Sequence, residues 1–430
     1  MQGRNENVLL SPHAPHGVTG SVRVPPSKSL TQRALVAAAL AGEGSVVRHP
    51  LDAEDPRLLL AALQGAGFLL EWGADAVASR GRAPVSKGGF DLGNNGTGVR
   101  FLLAQLVALP GEWRIDGSER LRQRPISPLV EALRRLGAKI EPRGAGAASL
   151  PLAVSGKALA GGEVALDASA SSQFVSALLL LGAVLPNGLV VRLTSAPPSR
   201  PYLDLTAEVL EAFGARLAEG DAGAAFTVSG GGLAAAEFAV EGDWSAAAFP
   251  LAAAAAAGGR VEILGVRTGS RQGDAVVLEI LRSAGCTVAV TGEGVVLTGP
   301  ATRPVEADLR DAPDLFPALS VVVAVAGGRL QGLHGLAAKE SDRLTVMANL
   351  LTTIGYRVGR GGSWFEADGG APGSGETIAP LDPAADHRIA MALAVTGCVV
   401  PGLRIRNPEC VAKSWPGFWG EWRRLVSGNS

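Results

Sequence analysis

One unit recurs six times along this chain: a polar start, an apolar run of helical length, a Gly-rich turn and a short strand-like stretch. The copies read SKSLTQRALVAAALAGEGSVV, GTGVRFLLAQLVALPGEWRID, ASSQFVSALLLLGAVLPNGLVVRL, DWSAAAFPLAAAAAAGGRVEIL, APDLFPALSVVVAVAGGRLQG and DHRIAMALAVTGCVVPGLRIR. A period of roughly 70 residues restricts the fold to stacked copies of one supersecondary unit. After each of the first five copies comes a second segment with helical periodicity, such as PISPLVEALRRLGAKI or ESDRLTVMANLLTTIGYRV, with a Gly near its end. Gly is the expected helix stop because it accepts left-handed backbone without steric cost. Each repeat therefore predicts two helices and three or four short strands, an α/β protein. The first helix of each pair is apolar nearly all round, which requires burial.

At 430 residues the chain is too long for one ordinary core. The repeat favours two similar domains of three copies each. The sixth copy breaks off after SWPGFWGEWRRLVSGNS, so its closing strand is expected from the orphan stretch GVTGSVRV near the N-terminus. That predicts a discontinuous domain of residues 1 to about 25 plus 242–430, wrapped around a continuous domain of 26–241. Two chain crossings, near Pro25-Pro26 and Glu241-Gly242, predict a hinge and a ligand cleft between the domains.

The net charge of -1 and a pI near 6.6 leave no electrostatic footprint for nucleic acid or an anionic membrane. The apolar runs from Phe174 to Leu185 and from Leu251 to Ala257 fall short of the ~20 residues that span a bilayer. The start MQGRNENVLL lacks the apolar stretch of a secretory signal, so a soluble cytoplasmic protein, and a monomer, is expected. Cys286, Cys398 and Cys410 form no CxxC pair, and the five histidines lack ligand spacing, so no metal is expected. Neither a G-x-x-x-x-G-K-[ST] loop nor a Rossmann fingerprint is present, which argues against a nucleotide cofactor.

The polar starts collect Lys28, Ser29, Arg33, Thr97, Arg100, Ser171, Ser172, Gln173, Asp314, His387 and Arg388. A helix start with unpaired N–H groups and hydroxyls binds anions, helped by the helix dipole. Plain capping needs the Ser, Thr or Asp but not the adjacent cations, so the whole set points to a ligand system with several anionic groups. SKSLTQR puts Lys28 and Ser29 at a helix start and Arg33 one turn on, on the face of Ser29. LGNNGTGVR, with Asn94 and Gly96, is Gly-rich enough for its backbone to approach a ligand. ASASSQF suits a phosphate that is held but not transferred, and RQRPISP sets Arg124 before a proline near the next helix start. Acid and base candidates are Asp314, in DAPDLFPAL, and Glu340, between Lys339 and Arg343 in AAKESDRL. Nearby cations favour ionised carboxylates, so an acid role for Glu340 requires burial or a substrate carboxylate to offset them. Spacing alone leaves the proton-transfer roles open.

Taken together, PPSKSLTQRA, GNNGTGVR, RQRPI, SSQF, SRPYLDLT, EGDWSAAAF, PDLFPAL, KESDRL, DHRIAMA and CVAKSWPGFW closely resemble, in order, the 5-enolpyruvylshikimate-3-phosphate (EPSP) synthase family of enolpyruvyl transferases. The resemblance implies two similar domains, each three βαβαββ-type repeats with buried parallel helices, an inside-out α/β barrel. It implies transfer of the enolpyruvyl group of phosphoenolpyruvate to the 5-hydroxyl of shikimate 3-phosphate, by addition and elimination, without a cofactor. Shikimate 3-phosphate would be held by Lys28, Ser29, Arg33, Ser171, Ser172, Ser199, Tyr202, Asp314 and Lys339, and Gln173 would touch both substrates. Phosphoenolpyruvate would be gripped by Lys28, Gly96, Arg124, Arg343, Arg388 and Lys413, and Asn94 and His387 would be further substrate-binding residues. Asp314 resembles the base for the hydroxyl, Glu340 the proton donor to C3, and Lys28 a helper at the leaving oxygen. The continuous domain would chiefly bind shikimate 3-phosphate, and the discontinuous one would carry the carboxylates and the cations for phosphoenolpyruvate.

The chain departs from the family pattern at Asn95, Gly98 and Phe101 in the glycine-rich loop, and at Gly335 and Ala337 ahead of Lys339. Gly96 has no side chain to crowd phosphoenolpyruvate, so glyphosate sensitivity is expected, with bulky Phe101 as the counter-argument. The sister family acting on UDP-N-acetylglucosamine carries a Cys in a loop that here reads GSERLRQRPI, without one. A non-catalytic descendant would have lost Asp314, Glu340 or Lys28, and all three are present.

Overall fold

The computed structural model describes residues 7–144, 148–220, 223–373 and 379–428. The chain divides into two compact units, Pro26–Glu241 and Met1–Pro25 with Gly242–Ser430. Each has its own apolar core.

In the Pro26–Glu241 unit, three helices lie at the centre: Lys28–Ala41, Gly96–Leu106 and Ser172–Gly182. Ser27, Asn95 and Ser171 cap them with side-chain oxygens that accept first-turn N–H groups. Past the first turn almost every residue is buried, from Leu30 to Ala39 in the first helix and from Phe174 to Gly182 in the third. Such helices cannot face water on any side, which is why their sequences lack a polar stripe. The second helix of each repeat, Glu54–Gly65, Ser127–Arg135 or Pro201–Ala212, keeps one polar face.

The strands follow one rule. Lys87–Asp91 and Gly111–Asp116 are parallel because a helix crosses between them, and Leu152–Gly156 and Lys139–Pro142 add an antiparallel hairpin. Gly162–Leu166, Leu189–Leu193, Ala225–Val228 and Leu217–Gly220 repeat the pattern. The first copy starts directly with a helix and has no strand ahead of it. Glu237–Ala239, from the far end of the unit, fills the place and pairs in parallel with Val46–Arg48, Phe238 opposite Val47.

The other unit centres on Trp244–Ala257, Phe316–Ala326 and His387–Val399, packed on one another. Here the expected use of GVTGSVRV is corrected. Its strand, Val18–Arg23, pairs in parallel with Gly259–Leu264, Gly20 opposite Val261, and so opens the fourth copy instead of closing the sixth. The reason is local: Asp243 already caps a helix, so the fourth copy has no first strand of its own. The sixth copy is closed by Val8–Leu10, antiparallel to Arg404–Arg406, with a parallel bridge from Leu381 to Ile405 on the other side. Its sheet is two-stranded where the others have four strands. Among the described residues the sheets remain separate and do not join into a hydrogen-bonded barrel, and no helix is long and apolar enough to cross a membrane.

Candidate active site

In the Pro26–Glu241 unit the polar helix starts form a linked set. Lys28 Nζ lies 3.0 Å from Asp55 Oδ2, with only 12% and 4% of the two side chains exposed. A pair this buried fixes the ammonium in place, unlike the exposed pairs elsewhere on the surface. The Gln173 carboxamide joins two helix starts: Oε1 accepts from Arg100 Nη1 at 2.7 Å and Nε2 donates to Thr97 Oγ1 at 3.0 Å. Arg100 also donates to the carbonyls of Gly96 and Pro125. Arg124 Nη1 reaches the Asn94 carbonyl at 3.4 Å, and a Cβ on Gly96 would stand 2.6 Å from the Arg124 guanidinium. Ser171 Oγ accepts from the Gln173 N–H, so the cap and the amide belong to one turn.

Arg33 is placed differently from the other expected ligands. It is 1% exposed and donates to Thr206 Oγ1 at 2.8 Å, to the Ser29 and Tyr202 carbonyls, and to Ser176 Oγ. Its guanidinium lies over the Phe101 and Tyr202 rings, and burial pulls its pKa down to about 10 against the opposing pull of Tyr202. Phe101 thus packs on a cation of the core. Tyr202 follows Ser199, whose backbone is left-handed at φ 57°, a conformation uncommon for Ser.

In the other unit, one guanidinium organises the cluster. Arg343 is 1% exposed and its fork meets three carboxylates: Nε to Asp386 Oδ2 at 2.8 Å, Nη1 to Asp314 Oδ1 at 2.7 Å, and Nη2 to Glu340 Oε2 at 2.9 Å. Lys339 Nζ lies 3.2 Å and Arg388 Nη2 3.3 Å from the Asp314 carboxylate, and Lys413 Nζ lies 3.8 Å from Glu340. Burial alone lowers the pKa of Arg343, but the three carboxylates reverse this and hold it charged. Burial likewise favours protonated Asp314, yet Arg388, Lys339 and Arg343 hold it well below the usual carboxylate range. Asp314, Glu340, Lys339, Arg343, Arg388 and Lys413 are therefore brought together, although the sequence spreads them over a hundred positions. His387 is fully buried, with Nδ1 3.8 Å from Asp386 Oδ1, so it stands behind the cluster.

Three carboxylates of these clusters escape sequence reasoning. Asp386 caps the His387–Val399 helix, accepts from Arg388 N and Ser341 Oγ, and meets Arg343. An Asp before an apolar helix is an ordinary cap, and nothing in DHRIAMA announces the guanidinium. Asp55 occupies the first turn of Glu54–Gly65 and looks like a dipole-matched acid. Asp274 accepts from Ser245 Oγ, and its pKa is pushed up to about 7 by burial and by the charge of Asp314. Lys339, Arg343, Arg388 and Lys413 thus meet Asp314, Glu340 and Asp386 in one buried cluster. Among the described residues no His, Cys, Asp and Glu group could hold a metal ion.

Two α/β units whose helix starts gather buried cations and carboxylates define a class, that of enzymes handling small anionic substrates without a nucleotide fold. Within it, residues 12–422 match the family model of EPSP synthase (3-phosphoshikimate 1-carboxyvinyltransferase), and the chain belongs to that family. The 3-phosphoshikimate 1-carboxyvinyltransferase of Methanospirillum hungatei is 36% identical over 419 residues, covering 94% of this chain and 95% of the relative. That of Syntrophobacter fumaroxidans is 37% identical over 420 residues, covering 96% and 98%. The solved EPSP synthase of Acinetobacter baumannii superposes with a TM-score of 0.76 at 28% identity, covering 97% of each chain.

Proposed function

We propose that the protein transfers the enolpyruvyl group of phosphoenolpyruvate to the 5-hydroxyl of shikimate 3-phosphate, releasing phosphate, as a step of aromatic amino acid biosynthesis. The 5-oxygen adds to C2 while C3 takes a proton, giving a tetrahedral adduct. Loss of that proton and departure of phosphate from C2 restore the double bond. The observation that carries the reading is the placement of Asp314 and Glu340 on one guanidinium, each with a further cation. Asp314, kept ionised, is the base for the hydroxyl, and Glu340 exchanges the C3 proton. Lys28, fixed by Asp55, assists the departing oxygen. Ser171, Ser172, Ser199 and Tyr202 take shikimate 3-phosphate, and Arg124, Arg388 and Lys413 take phosphoenolpyruvate. Arg33 and Arg343, whose donors meet protein acceptors, support these groups from behind.

The test is phosphate release from shikimate 3-phosphate and phosphoenolpyruvate, with a parallel reaction in which UDP-N-acetylglucosamine is the acceptor. Release with shikimate 3-phosphate alone, and a product mass matching the enolpyruvyl ether, is expected. Release only with the sugar nucleotide would overturn the reading.

A further inference from the structure

Asn95 is the residue of the glycine-rich loop to which the chemistry above gives no task. Its side chain is fully buried, and its carboxamide is engaged from three sides. Nδ2 donates to Gln32 Oε1 and to the Asp55 carbonyl, and Oδ1 accepts from Gly98 N, each at 2.8 Å. Both amide hydrogens are thus used. Gln32 stands one turn beyond Lys28 on the Lys28–Ala41 helix, and Asp55 is the residue whose carboxylate holds Lys28 Nζ. The amide is a strut from the loop bearing Asn94 and Gly96 to the backbone of the residue whose carboxylate fixes Lys28. It also needs room: a Cβ on Gly98 would stand 2.4 Å from Asn95 Nδ2 and 2.8 Å from its Cγ. Any side chain at position 98 evicts the amide.

We propose that Asn95 and Gly98 are a matched positioning pair that sets the placement of Lys28 against the Gly96 loop and thereby governs the binding of phosphoenolpyruvate. The identity of that ligand rests on the function proposed above. Lys28 is expected at both substrates, but Gly96 and Arg124, expected at phosphoenolpyruvate alone, border the same loop, and Ser171, Ser172, Ser199 and Tyr202, assigned to shikimate 3-phosphate, share no hydrogen bond with Asn95, so the pair acts more on phosphoenolpyruvate than on shikimate 3-phosphate.

A double-mutant cycle on the whole protein tests this, with Asn95→Ala, Gly98→Ala and both together. Each single change is expected to raise the KM for phosphoenolpyruvate about tenfold and to leave that for shikimate 3-phosphate within about twofold. The double variant should be no worse than the worse single, instead of reaching the product of about a hundredfold that independent sites give. Multiplying effects, an unmoved KM for phosphoenolpyruvate, or both KM values rising by the same factor would overturn the pairing. The same cycle read in Tm carries the geometric half without turnover: Gly98→Ala should lower Tm in the parent and not in the Asn95→Ala background. A parent that releases no phosphate while that Tm coupling holds would reject the function and its ligand, not the pair. If Asn95→Ala fails to fold, Asn95→Ser, which keeps an acceptor for Gly98 N, replaces it in the cycle.

Discussion

Arg343 joins three carboxylates with one planar fork, which a lysine at that position cannot reproduce. Arg343→Lys keeps the charge but loses part of the fork, and is expected to destabilise the protein by about 1–3 kcal/mol and to lower kcat/KM at least a hundredfold. Denaturant unfolding and phosphate release measure the two effects. Gly96→Ala sets a methyl within 2.6 Å of the Arg124 guanidinium. Its KM for phosphoenolpyruvate should rise tenfold or more with little change in that for shikimate 3-phosphate, and inhibition by glyphosate should weaken in parallel. Glu340→Ala should still bind shikimate 3-phosphate, measured by calorimetry, while losing turnover; turnover within a few-fold of the parent would remove it from proton transfer. At this scale the sequence was legible where a cation stands next to a cap, as at Lys28 and Arg388. It was silent at Asp386, because its partner Arg343 lies 43 positions upstream and a cap alone explains the letter.

The central helices of all six repeats, and the amphipathic second helices of the first five, follow from apolar periodicity. The first are apolar throughout and the second are one-sided, and burial follows suit. Leu178 sits mid-helix in Ser172–Gly182 with no exposure, so Leu178→Ala should lower the unfolding free energy by about 2–5 kcal/mol, read from the denaturant midpoint at unchanged slope. Strand partnership was not legible in the same way. Val8–Leu10 is only three apolar residues and Val18–Arg23 six of mixed character, and local pattern cannot say which sheet each completes. The deciding fact is long-range: one copy lacks a parallel first strand and the other an antiparallel last one. Pairings of such sequence separation leave no mark on the residues between them.

Across the whole molecule, pH acts through buried carboxylates with opposite signs. Asp274 has a folded pKa of about 7, above its ordinary 3.8, so the folded protein holds that proton more tightly than the unfolded chain. Its contribution is fully present below about pH 4, declines as pH rises toward 7 and is flat above. Asp314 is shifted the other way, and its contribution is present above about pH 4 and lost as pH falls further. Asp274→Asn, which keeps an acceptor for Ser245, should therefore raise Tm at pH 8 relative to the parent and change it little near pH 4. A second expectation concerns connectivity. Residues 26–241 contain every strand of their three sheets, so that fragment should unfold cooperatively on its own. Residues 242–430 lack Val18–Arg23 and should do so only when a peptide of residues 7–25 is added, followed by circular dichroism. The ends of each unit meet within it: Ser27 N donates to the Glu241 carbonyl, and Asp243 N donates to the Pro25 carbonyl, both at 2.8 Å. Such a seam makes one half excisable from the gene as a cassette, with Pro25 ligated to Gly242 and no new path for the remaining chain. Insertion of one ancestral half into the other would have required only the reverse splice.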